Sequence, residues 1–242
     1  MRTFSTEYFL SLAAIAIATA AVVAAARRFP GRWTVVFARV LAVVLVVNQL
    51  SYFVAERNSL TLQWSLPIWL CEIGTFIGAA ALWWRTPLCV EIIYFWGLGG
   101  TLQALVTPDL PASQLFPTYY YFEYYLNHGG IVLMALFLVA GLHLTPRRRA
   151  VFRVAAITLG YVMVVAGVDR LTGGNYLFLR KPPSNVSLLS LLGPWPWDIL
   201  GMVAIGFLIM VLLNAPFWFM RRAHDLDRAG DAQMVAPACD GV

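Results

Sequence analysis

Two residue types that together make a sulfur nucleophile, a thiol and a neutral imidazole, occur in this sequence as Cys71 and His128, each inside an apolar run. Cys71 follows Pro67 in Leu66-Pro-Ile-Trp-Leu-Cys-Glu. Pro suits the first turn of a helix, so Cys71 is expected about one turn further in, where amide dipoles favour a thiolate. Apolar burial opposes ionisation, so a base is required, and His128 in Asn127-His128-Gly129 is the histidine expected at similar depth. Glu72, Asp109, Asp169 and Asn175 are all candidates to orient the imidazole. Each residue also has a plainer reading: a buried free Cys is usually a small core hydrophobe, and a lone His a helix-packing residue. Cys89 and Cys239 read as inert, and His143 and His224 as boundary and tail residues. The cysteines show neither paired nor metal-type spacing, so no disulfide framework, metal site or soluble cofactor is expected.

The elements that must hold these groups are apolar helices. Of 242 residues, 60% are hydrophobic and 12% charged, and the mean hydropathy is +0.73. That composition excludes an ordinary soluble domain. A spanning helix takes about 20 residues, so seven would use roughly 140 and leave short connections. Long unbroken apolar runs favour helices over barrel strands. The spans expected are Thr6 to Ala26, Trp33 to Phe53, Leu66 to Trp84, Leu88 to Leu105, Phe122 to Leu142, Val151 to Leu171 and Trp197 to Phe219. The fold class is therefore all-α: a polytopic seven-helix transmembrane domain over 1–220, then a disordered cytoplasmic tail over 221–242. The charges flanking the first span are reversed relative to a signal peptide, so cleavage is not expected.

The net charge of +5 raises nucleic acid as a partner, but the arginines sit in short clusters between apolar runs, where their simpler use is topological. Arg27, Arg28, Arg32, Arg85, Arg147, Arg148, Arg149, Arg153, Arg221, Arg222 and Arg228 make eleven on one side, against five (Arg2, Arg57, Arg170, Arg180 and Lys181) on the other. This places the N-terminus outside and the C-terminus in the cytoplasm of a cell-membrane protein. Asn48, Gln49, Cys71, Glu72, Thr101, Gln103, Asn127, His128 and Asp169 then converge on the outer leaflet, while Glu91 and Asn214 lie near the cytoplasmic ends, within reach of arginines. An outward-facing polar pocket follows. The run Tyr119 to Tyr125 reads as an interfacial belt, and the long connection from Thr172 to Pro196 as a structured cap. Gly97, Gly99 and Gly100 suggest close helix packing.

Several motifs in order carry a family resemblance: Leu66-Pro-Ile-Trp-Leu-Cys71-Glu-Ile-Gly, Tyr94-Phe-Trp-Gly-Leu-Gly-Gly, Gln103-Ala-Leu-Val-Thr-Pro-Asp109, Asn127-His128-Gly, Asn175-Tyr-Leu-Phe-Leu-Arg180-Lys-Pro and Leu192-Gly-Pro-Trp195-Pro-Trp197. From about Phe4 to Phe219 the chain resembles the YwaF-type bacterial integral membrane proteins. These are similar to eukaryotic transmembrane protein 164, described as a cysteine-dependent acyltransferase that moves fatty acyl chains between phospholipids. The resemblance implies Cys71 and His128 as the catalytic pair. Many bacterial relatives are expected to carry His two residues before the Cys, where this chain has Trp69. That position lies about 200° around a helix from Cys71, so the pair is unaffected, while a two-histidine or metal mechanism loses its support.

The function expected is a lipid acyltransferase acting on membrane phospholipids, with Glu72, Gln103, Asp109, Asn127, Asn175, Arg180, Trp195 and Trp197 as substrate-binding or supporting residues. A hydrolase on the same pair is the close variant, and a non-enzymatic transporter or lipid-binding sensor the rival. Transport predicts polar residues continuing to the cytoplasmic leaflet, whereas here they largely stop halfway. The sequence carries no statement of oligomeric state.

Overall fold

A computed structural model describes residues 5–181 and 192–235, with side chains described through 222. Arg2, the Pro182-Pro183 end of the Asn175 motif and most of the expected tail lie outside the described side chains. Among the described residues the chain forms seven helices: α1 (Thr6–Arg28), α2 (Arg32–Ala55), α3 (Leu70–Trp84), α4 (Pro87–Val106), α5 (Tyr119–Gly141), α6 (Ala150–Thr172) and α7 (Trp197–Val235). All but α3 are long and apolar enough to cross a membrane. The architecture is an all-α polytopic membrane helix bundle.

Local chemistry sets the helix boundaries. Ser5 accepts from the Tyr8 amide, and Thr118 from the Tyr121 amide, at the starts of α1 and α5. Pro87 occupies the first turn of α4, where a missing N–H costs nothing. Arg85, in the left-handed region at φ 53°, turns α3 into α4 within two residues. Gly173, at φ 78°, ends α6 with its N–H on the Asp169 carbonyl, the conformation glycine adopts most readily.

Neighbouring helices alternate in direction. The contacts Ser11–Tyr121, Gln49–Asn127, Thr75–Asn127, Trp96–Thr158 and Tyr94–Leu213 fix which ends meet. One end, here called proximal, carries the start of α1 and the connections 56–69, 107–118 and 173–181. The distal end carries 29–31, 85–86 and 142–149. α4 and α5 are the most enclosed helices, with 56% and 67% of their most apolar stretches buried. α1, α6 and α7 expose residues such as Leu10, Met163 and Leu212, as lipid-facing helices do.

Two π-helical turns interrupt the central pair, at Gly97–Thr101 in α4 and Phe137–Gly141 in α5. In the first, each glycine faces a different helix: Gly97 meets Ile131 and Ala135 of α5, Gly99 meets Ile209 of α7, and Gly100 meets Leu70 of α3. A Cβ on Gly100 would stand 2.8 Å from Leu70. The close packing expected of this glycine group is therefore present.

Candidate functional site

Cys71 is the second residue of α3, not a residue one turn inside it as Pro67 suggested. The reason lies in side chains from elsewhere in the chain. Tyr161 of α6 donates to the Ile68 carbonyl, and the Tyr176 hydroxyl donates to the Leu62 carbonyl (3.1 Å) while accepting from the Leu66 amide (2.8 Å). These bonds occupy the Leu62 and Ile68 carbonyls and the Leu66 amide, and the regular helix begins at Leu70. Glu72 then closes the helix start by accepting from the Trp69 amide at 3.1 Å. Trp69 itself turns to Tyr176 and Phe178, with ring centroids 5.4 and 5.5 Å away. The first part of the long connection, 173–181, is thus a cap seated on the entry to α3. The amides of Cys71 and Glu72 stand beside the sulfur, and Glu72 and Glu123 are within its electrostatic reach.

His128 sits on α5, buried at 7% exposure. Its Nδ1 lies 2.8 Å from the Tyr124 carbonyl, an acceptor only, so Nδ1 carries the proton and Nε2 keeps a lone pair. The Tyr124 ring stacks on the imidazole at 4.0 Å, and its hydroxyl donates to the Ala104 carbonyl at 2.7 Å. Tyr124 is also within electrostatic reach of Cys71 and Asp109. Among the described residues, no hydrogen bond joins the Cys71 thiol to His128.

The two helices are joined instead one residue from His128. Thr75 Oγ1 lies 2.6 Å from Asn127 Oδ1 and 3.0 Å from the Cys71 carbonyl, and Asn127 Nδ2 donates to Gln49 Oε1 at 2.6 Å. α3 and α5 run in the same direction. From this contact Cys71 therefore stands about 6 Å toward the proximal end and His128 about 1.5 Å away from it. The imidazole leans back one turn toward Tyr124, which closes part of that offset.

The other expected residues divide. Gln103 Nε2 donates to Thr107 Oγ1, just past the end of its own helix, at 3.2 Å. Asp109 is exposed on the connection after α4. Asn175 organises the cap, accepting from the Arg180 and Lys181 amides and donating to the Lys181 carbonyl. Arg180 is exposed and donates to the Gly174 carbonyl. Trp195 and Trp197 are 64% and 65% exposed, on the outside of the bundle. Asp169 is buried, with Oδ1 on the Tyr176 amide at 2.8 Å and Oδ2 unpartnered. Glu56, at the proximal rim after α2, is held below the ordinary carboxylate range by hydrogen bonds from Ser59 and Tyr120. No three His, Cys, Asp or Glu side chains among the described residues gather as a metal set.

The sequence model of the TMEM164 family matches residues 3–214. The chain belongs to the TMEM164 family. It is also similar to an uncharacterized protein of Treponema pallidum (strain Nichols), 29% identical over 155 residues, which are 63% of this chain and 62% of that protein. The chain thus spans about 62% of the length of the curated relative it matches. No solved structure matches.

Within this TMEM164-family chain, sequence reasoning missed three contributors to the site. Tyr124 read as part of an interfacial belt, although its spacing of four from His128 puts both rings on one helix face. Thr75 gave no signal, because a helical hydroxyl normally bonds its own i−4 carbonyl. Glu123, hidden in the tyrosine run, is bound by Asn48 Nδ2 at 3.2 Å and lies within electrostatic reach of Cys71.

Proposed function

We propose that this TMEM164-family chain is a membrane lipid acyltransferase in which Cys71 is the nucleophile and His128 the base. All seven helices, α3 included, span the cell membrane, with the proximal end outside and the C-terminus in the cytoplasm. The outer leaflet then supplies both substrates to the end that carries Cys71.

His128 Nε2 takes the Sγ proton, and the thiolate attacks a phospholipid ester carbonyl. The C–S bond forms, the ester C–O bond breaks, and the departing lysolipid alkoxide receives the proton from the imidazole. In the second half, Nε2 removes the proton of an acceptor lysolipid hydroxyl. The new C–O bond forms, the C–S bond breaks and the thiolate is reprotonated. Backbone amides at the start of α3 face the developing oxyanion, whereas the Gln103 amide is committed to Thr107.

One observation carries this reading: the Tyr124 carbonyl holds Nδ1–H, leaving Nε2 as a base inside a buried site one helix away from a free thiol. The family match supports it. The test is acyl exchange between labelled phospholipid and lysolipid in liposomes carrying the purified protein. Cys71→Ala and His128→Ala are each expected to lower exchange at least about 100-fold. Undiminished exchange in both ends the proposal, and labelled free fatty acid in place of exchanged lipid assigns hydrolysis.

A further inference from the structure

We propose that Gln49, Asn127 and Thr75 form a register lock that sets the depth of Cys71 against His128, and that all three are positioning residues. Thr75 is 0% exposed, Gln49 1% and Asn127 4%. They lie in helices that face lipid and apolar neighbours, where a polar side chain has no water to turn to and must find a protein partner. The chain of bonds is continuous: Gln49 Oε1 accepts from Asn127, Asn127 Oδ1 accepts from Thr75, and the Thr75 hydroxyl shares its one proton with the Cys71 carbonyl. One end of this chain is the backbone of the residue bearing the thiol. The middle is the neighbour of the residue bearing the imidazole.

Sliding α3 by one residue along α5 shifts each Cα by about 1.5 Å and turns it by about 100°. Such a slip breaks the Thr75 bond to Asn127 and offers nothing in exchange. Gln49 adds α2 to the same contact, so three helices share one permitted alignment. The glycines beside it allow this closeness: a Cβ on Gly130 would stand 2.4 Å from Leu45 of α2, and one on Gly129 2.7 Å from Ile15 of α1. The tolerance of a reacting pair to misplacement is near 1 Å, so the alignment of these helices decides whether base and thiol cooperate.

The catalytic consequence rests on the Cys71 and His128 assignment, but the lock itself is read without it. Full-length protein in membranes is treated with iodoacetamide, and the alkylation rate of Cys71 is measured by peptide mass spectrometry relative to that of Cys89 in α4. General loosening moves both cysteines; loss of register moves their ratio. Thr75→Val and Asn127→Leu are expected to change the ratio about threefold or more, and Thr75→Ser to return it to within about twofold. Gln49→Met and Gln49→Glu form a second pair, the glutamate keeping the acceptor that Asn127 needs. The same shifts are expected in a His128→Ala background. An unchanged ratio in folded Thr75→Val and Gln49→Met overturns the lock. Acyl exchange that survives His128→Ala sinks the catalytic assignment and leaves the ratio to decide the lock alone.

Discussion

Glu91 at the distal end of the bundle and His128 at the proximal end are held in opposite ways. At the distal end Glu91, 1% exposed, accepts from Arg147 Nε (2.8 Å), the Arg147 amide (3.1 Å) and Arg153 Nε (2.9 Å), with further bonds to both guanidinium groups. Arg221 adds a bond to the Pro146 carbonyl, tying α7 to the same connection. Every Glu91 lone-pair direction is in use, and the result is a clamp. At the proximal end His128 Nε2 has no partner among the described residues, the Cys71 thiol has no bond to it, and Asp169 Oδ2 is unpartnered. Unpartnered atoms are not confined to the proximal end, since Thr19 Oγ1 of α1 and Asn214 Oδ1 of α7, the latter expected within reach of arginines, also lack a partner toward the distal side; what sets the proximal end apart is a base and a thiol that a substrate can engage.

That contrast is sharpest in a pair of substitutions. His128→Ala is expected to remove exchange, at least about 100-fold, with little change in the unfolding midpoint in detergent. Glu91→Ala is expected to do the reverse, lowering stability by about 2 kcal/mol while turnover per folded molecule is retained, because the charge-assisted bonds from two partly exposed guanidinium groups are lost. A Glu91 variant that is stable but inactive would erase the division between the ends. Next in size, Tyr176→Phe strands the Leu62 carbonyl and the Leu66 amide, at a cost of about 1–2 kcal/mol. Its signature is faster hydrogen exchange across 62–70, with the 142–149 connection unaffected.

The smallest effect tests the proximal rim. Glu56 has a depressed folded-state value, so its contribution to stability is present above its ordinary value of 4.5 and is lost as the pH falls through the lower one. Glu56→Gln is expected to flatten the acid limb of the stability curve by slightly lowering stability at neutral pH, the two proteins converging as the pH falls below about 4.5. An identical acid limb in both proteins would show that Ser59 and Tyr120 do not hold the carboxylate in solution.

Most helix positions were legible because long apolar runs have few alternatives, and the reach of Glu91 to arginines followed from its place near a basic connection. The start of α3 was not legible. Pro67 is compatible with a first helical turn, and only the hydroxyls of Tyr161 and Tyr176, some hundred residues away in sequence, divert the backbone there. Trp195 and Trp197, grouped with the site residues through their motif, stand exposed at and just before the start of α7. Cys71 and His128 were found by type. Their setting in Tyr124, Thr75 and Gln49 depends on which faces of three helices meet, and residue spacing on one helix does not carry that.

The widened turn at Gly97–Thr101 has an effect beyond its own glycines. Relative to a regular helix it holds one surplus residue, and everything after it in α4 is rotated by about 100°. Ala104 lies just beyond, and its carbonyl is the anchor for the Tyr124 hydroxyl. Wound regularly with the same residues, α4 would carry that anchor to another face, whereas deleting one residue together with the wide turn would leave it in place, so the tilt of the imidazole is geared to a turn on a helix it does not belong to.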